Sequence, residues 1–233
     1  MQLKDKKRLG VWLKDLREHH YLEWIYSTDF AEKTKPAIYY LGINGVRLLK
    51  GLGEYPLGDL HKRYKEPSRT PDFIAKSILL VGGVLDMAAK TTPELTYTVT
   101  TRADYSDSQN KYHLLQELKP DLYYERLEQT KVSVIAKGYL VAVFDATLPR
   151  YMVRKHLKDY VTYLYEGAWK RRFDCSELIV HIVCPTVAEL VYAKRRTRLL
   201  LNDIGKDERT HIRFSTIEQV KAKGITGLIW EEV

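Results

Sequence analysis

Two nearly unbroken apolar runs constrain this chain most: Tyr139-Leu140-Val141-Ala142-Val143-Phe144 and Leu178-Ile179-Val180-His181-Ile182-Val183-Cys184. Such runs suit strands covered on both faces rather than strands with one face in water. Between them, Pro149 to Trp169 reads as an amphipathic helix. Val153, Leu157, Tyr160, Val161 and Leu164 turn inward, and Arg154, Lys155 and Lys158 turn outward. Asp121-Leu122-Tyr123-Tyr124 and Val132-Ser133-Val134-Ile135 add strands before them, and Pro185 ends the second run. The alternation predicts an α/β fold with a mixed central sheet buried on both sides.

Elements continue on either side of this centre. Thr70-Pro71-Asp72 caps a long apolar helix from Phe73 to about Lys90, with Ile74, Ile78, Leu79 and Leu85 on its expected buried side. Gly82-Gly83 within it marks close packing. Leu95 to Thr101 alternates as a strand, and 102–111 reads as a polar loop. Ala188 to Asn202 forms another helix. A strand at 211–214, a helix near 216–223 and a strand at Leu228-Ile229-Trp230 follow.

The first part has a different pattern. Residues 5–19 place Leu9, Leu13 (or Trp12) and Leu16 at helical spacing, with lysines and arginines opposite. Strands at Tyr21–Tyr26 and Ala37–Leu41 flank the polar 28–35 stretch. Gly42-Ile43-Asn44-Gly45 reads as a turn that tolerates positive φ, before a helix beginning at Val46. Helix, strand, loop, strand, turn and helix form the back half of a winged helix. The basic helix stands in the recognition position and the 26–36 loop in that of the wing. The two helices that normally precede them have no counterpart. The expected division is a partial winged helix over 1–65, a Gly- and Pro-containing linker, and an α/β domain over 70–233.

Composition narrows the partners. The net charge of +8 over 233 residues favours a polyanion. Lys6, Lys7, Arg8, Lys14 and Arg17 on the first helix, Lys33 and Lys35 in the wing, and Lys194, Arg195, Arg196 and Arg198 on the later helix are candidate DNA contacts. A solvated helix face is the competing reading. The two cysteines, Cys175 and Cys184, have no Cys or His at zinc spacing, which predicts a reduced cytoplasmic protein without disulfides. The start lacks an apolar leader, and no apolar run reaches the roughly 18 residues of a membrane span.

Lys119-Pro120-Asp121 and the strand end Phe144-Asp145-Ala146-Thr147 are the candidate chemical site. Two carboxylates at neighbouring strand ends, with Lys155 and Lys158 on the next helix, are what a metal-dependent phosphodiesterase requires. Asp121 is more simply a turn residue after proline that opens a strand, and a cap on the helix that follows explains Asp145 with Thr147 equally well.

The ordered set of the basic helix, Ile38-Tyr39-Tyr40-Leu41-Gly42, Lys119-Pro120-Asp121, Asp145 with Thr147, Lys155, Lys158, Tyr160 and Cys184-Pro185-Thr186 resembles the plasmid replication-relaxation proteins of Gram-positive mobile elements. The likeness runs over residues 6–230. It implies a winged helix joined to a degenerate restriction-endonuclease-like domain. In that family's strand motif a glutamate falls where this chain has Val143, and the Arg-Gly before the threonine is reduced to Ala146. The resemblance therefore implies a DNA-binding accessory protein of a plasmid or integrative element, acting in replication, relaxation or conjugative transfer without catalysis. The alternatives are a Mg²⁺-dependent endonuclease or nickase using Asp121 and Asp145, and an adaptor for a relaxase or replication initiator. Mg²⁺ enters only with the nuclease reading.

Overall fold

Alternating basic and apolar residues wind Lys6–Glu18 into helix α1 of the computed structural model. It describes residues 6–25, 37–53, 71–106, 108–130, 132–205 and 211–233. Leu9 and Leu13 are half-buried, whereas Trp12 and Leu16 face solvent, so the apolar side of α1 is narrower than its spacing predicts. Strand β1 (Leu22–Ile25) pairs antiparallel with β2 (Ile38–Leu41), and helix α2 (Ile43–Leu52) follows at once.

The 42–45 segment is the start of α2 rather than a positive-φ turn. Gly42 is the N-cap with φ −81°. The N–H groups of Gly42 and Asn44 donate to the carbonyls of Tyr21 and His20 at 2.9 and 3.0 Å. A Cβ on Gly42 would lie 2.4 Å from the His20 oxygen, and one on Gly45 2.3 Å from the Tyr21 oxygen. Glycine stands at both places because backbone meets backbone there.

The chain divides into compact units at Met1–Thr70 and Pro71–Val233. The second unit opens with α3 (Pro71–Lys90), an unbroken helix with proline in its first turn. Then come β3 (Leu95–Thr101), the short helices α4 (Arg102–Ser106) and α5 (Leu115–Leu118), β4 (Leu122–Gln129) and β5 (Val134–Val143). Helix α6 (Arg150–Glu166), β6 (Glu177–Cys184), α7 (Val187–Asp203), β7 (His211–Thr216), α8 (Ile217–Lys223) and β8 (Glu231–Glu232) complete it. The expected 102–111 loop therefore contains a helical turn, fixed where Asp104 accepts from the Thr101 N–H and hydroxyl at 2.6 and 2.8 Å. The expected strand at 228–230 falls instead on Glu231 and Glu232. Trp230 lies flat on His181, with ring centroids 3.7 Å apart, and its indole N–H donates to the Ile225 carbonyl.

The fold is mixed α/β. The six strands lie in sequence order, with β5, β6 and β7 parallel and the outer pairs antiparallel. On one face, Leu157, Tyr160, Val161 and Leu164 of α6 pack with Leu190 and Ala193 of α7 over Leu140, Val180 and Ile182. Each fully buried Leu or Val contributes about 1.5–3 kcal/mol. On the other face, Leu79 and Met87 of α3, Val220 of α8 and Ile225 cover Val141, Val143, Ile179 and Val183. The inward side of α3 runs through Lys76, Leu79, Leu80, Gly83, Val84 and Met87. Ile78 and Leu85, expected inside, are exposed. Gly83 explains the close packing: its Cβ would lie 3.1 Å from Ile225. Among the described residues, no helix is long and apolar enough to cross a membrane.

Candidate functional site

The end of the sheet is built by backbone pairing that runs one residue past β4. The Asp121 N–H donates to the Val141 carbonyl at 2.8 Å, and the Asp121 carboxylate accepts the Val143 N–H at 2.8 Å. Its side chain thus extends the β4–β5 ladder and lies almost completely buried. Lys119 enters this turn in the left-handed region, φ 52°, as the C-cap of α5.

Both carboxylate oxygens of Asp121 are held by cations. Lys76 Nζ, reaching from α3, lies 2.6 Å from Oδ2 and donates at 2.7 Å to the Val143 carbonyl. Arg102 Nη2, from α4, lies 2.7 Å from Oδ1. The same guanidinium donates to the carbonyls of Pro120 and Lys119, each at 3.1 Å, and the Tyr105 hydroxyl donates to Pro120. One arginine therefore staples the Lys119-Pro120-Asp121 turn at three points.

A cavity of about 180 Å³ opens beside this turn, lined by Lys76, Arg102, Lys119, Asp121, Asp145 and His156 together with the strand ends and Tyr160. Asp145 shares the cavity but does not cap α6. Its Oδ1 accepts from the Thr147 N–H and hydroxyl at 2.9 and 2.6 Å, while Pro149 holds the N-cap position without a side-chain bond. The proline cannot supply a capping oxygen, so the carboxylate closes the turn before it instead. His156 is half-buried. Burial lowers its pKa from the ordinary histidine value against the opposing pull of Asp159 and Asp121. Tyr160 is buried, and desolvation raises its phenol.

Lys155 and Lys158 do not join this site. Both are exposed on the outer side of α6, three positions apart with Arg154 beside them, because the helix turns Val153, Leu157 and Tyr160 inward. The cations that meet Asp121 come from Lys76 and Arg102. The sequence signal for Lys76 is its spacing, three and four residues before Leu79 and Leu80 on the buried line of α3. Arg102 carried no comparable signal.

Asp121 by itself is a poor ligand for a divalent cation. A hard ion needs free carboxylate lone pairs, and those of Asp121 face an ammonium, a guanidinium and a backbone N–H. Among the described residues, no group of three or more His, Cys, Asp or Glu is arranged to hold a metal.

The candidate DNA contacts divide by environment. On α1, Lys14 lies 3.7 Å from Glu18, Arg17 stacks 3.8 Å over the Trp24 ring, and Arg8 lies 5.8 Å over Trp12. The side chains of Lys6 and Lys7, and all of Lys33 and Lys35 with the 26–36 wing, lie outside the described residues. On α7, Lys194 pairs with Glu231 at 3.2 Å. Arg196 lies 5.6 Å over Tyr192, and Arg195 and Arg198 are exposed. The run Lys194–Arg198 is thus spread around α7 rather than gathered on one face. Comparison with protein-family models, with curated proteins and with solved structures found no match.

Proposed function

We propose that this protein binds DNA without cutting it, as an accessory factor of a plasmid or integrative element. One observation carries the reading. Where a hydrolytic centre gathers carboxylates around a metal, this sheet end has Asp121 clamped between Lys76 and Arg102, with Lys119 on the same cavity. Two cations already occupy the Asp121 oxygens that a metal would use. The exposed face of α6, with Tyr151, Arg154, Lys155 and Lys158, and Arg195 and Arg198 on α7, adds cations and an aromatic ring of the kind that tracks phosphates. The assignment to a mobile element rests on the resemblance to the plasmid replication-relaxation proteins.

Affinity then comes mainly from counterion release. Fluorescence anisotropy with a duplex is expected to show log K falling linearly with log salt, with a slope of about −0.9 per phosphate neutralised. Charge reversal at Arg154 and Lys158 reduces that slope by about 2. No binding at low salt, or a flat salt response, refutes the proposal.

A further inference from the structure

We infer that the cavity at the sheet end receives the terminal phosphomonoester of a nucleic acid strand, held by Lys119, Lys76 and His156. This deepens the DNA-binding reading and rests on it.

The size of the cavity carries the first step. About 180 Å³ is ample room for a tetrahedral oxyanion and the carbon it is esterified to.

Charge carries the second step. The cations Lys76, Arg102 and Lys119 face the carboxylates Asp121 and Asp145. Asp121 is neutralised by its partners, whereas Asp145 keeps its charge and has one oxygen bound by Thr147; three cations against two carboxylates leave the lining with a net positive charge. The Lys76 ammonium has three N–H donors; two point at Asp121 and the Val143 carbonyl, which leaves one for the cavity it lines. Lys119 is exposed beside it. A terminal phosphate carries about −1.5 to −2 charges at neutral pH, against one for a diester within the strand, so this lining favours the end.

His156 carries the third step: it lines the cavity from α6, on the side of the helix turned away from Arg154 and Lys158. The groups around the imidazole are Lys155 and Asp159 on α6, Lys76 on α3, Arg102 on α4, Lys119 and Asp121 before β4, and Asp145 after β5. A dianion added among them favours the imidazolium, which can then donate to it.

The test uses the full chain and blunt duplexes with an internal fluorophore, bearing a phosphate or a hydroxyl at the 5′ or the 3′ end. One charge-assisted contact of about 1.4 kcal/mol corresponds to a tenfold preference for a phosphorylated end. Lys119→Asn keeps a residue that tolerates the left-handed backbone and removes the charge; His156→Gln removes the titrating ring. Both are expected to abolish the preference, bringing the affinity for a phosphorylated end down to that for a hydroxyl end. Inorganic phosphate at millimolar concentration is expected to compete away the preference alone. Equal affinity for phosphorylated and hydroxyl ends, with duplex binding intact, overturns the inference, even if inorganic phosphate alone shifts the His156 resonances. Failure to bind any duplex refutes the DNA-binding reading instead.

Discussion

Replacing Lys76 by methionine removes one clamp from a buried carboxylate while keeping the apolar stem that packs along α3. The ammonium lies 2.6 Å from Asp121 Oδ2 and 2.7 Å from the Val143 carbonyl, and the Asp121 side chain is only 5% exposed. Removing one partner of a buried ion pair costs about 3–5 kcal/mol, because the other charge is left without compensation. Arg102 and the Val143 N–H still hold Asp121, which places the cost at the lower end, about 3 kcal/mol. For a unit of this size that lowers Tm by about 6–12 °C. Arg102→Gln costs less, about 1 kcal/mol, because its side chain is 56% exposed. Adding Asp121→Asn to Lys76→Met removes the stranded charge, so the double variant is expected to be more stable than the two single losses summed, by at least about 1 kcal/mol. Urea unfolding of the wild type, the three single variants and the double variant measures each term. A loss below about 1 kcal/mol for Lys76→Met, with additive effects in the double variant, would refute the clamp.

Other perturbations test the frame around it. Leu79→Ala should cost about 2–5 kcal/mol, whereas Leu85→Gln and Ile78→Gln should stay within about 0.5 kcal/mol; a reversed order would put the other side of α3 on the sheet. Gly42→Ala and Gly45→Ala should destabilise the first unit, while Gly51→Ala, whose Cβ meets nothing within 4 Å, should stabilise α2 by about 0.4–1 kcal/mol; Trp24 fluorescence during unfolding reports both. Burial holds His181 well below the ordinary histidine value, with Arg213 adding to the effect. The unfolded chain therefore binds the proton first, so the stability is complete above about pH 6.5 and falls as pH drops below it. His181→Phe should flatten that decline in urea titrations between pH 7.5 and 5, and an unchanged slope would remove His181 as its source.

Legibility in the sequence followed the contrast between faces. On α6 the apolar residues Val153, Leu157, Tyr160, Val161 and Leu164 occupy one side and charges the other, so both faces are readable, and all five are buried. Helix α3 is apolar nearly all round, with Ile74, Ile78, Leu79, Leu80, Val81, Val84, Leu85 and Met87. Periodicity there selects no face. The contact of Gly83 with Ile225, distant in sequence, decides it. The spacing of Lys76 before Leu79 and Leu80 becomes a signal only once that face is known. Asp121 is conspicuous after Pro120, but its partners come from α3 and α4, which only the folded sheet brings to it. At Gly42 and Gly45 the glycines were visible and their cause was not, since a close backbone approach leaves no local pattern.

Incubation of supercoiled DNA with the full chain and Mg²⁺ or Mn²⁺, at protein concentrations that saturate binding, tests the central claim most directly. The clamped Asp121 predicts retarded but intact supercoiled DNA at every metal concentration. Metal-dependent nicking that disappears in Asp121→Asn and Asp145→Ala would contradict it.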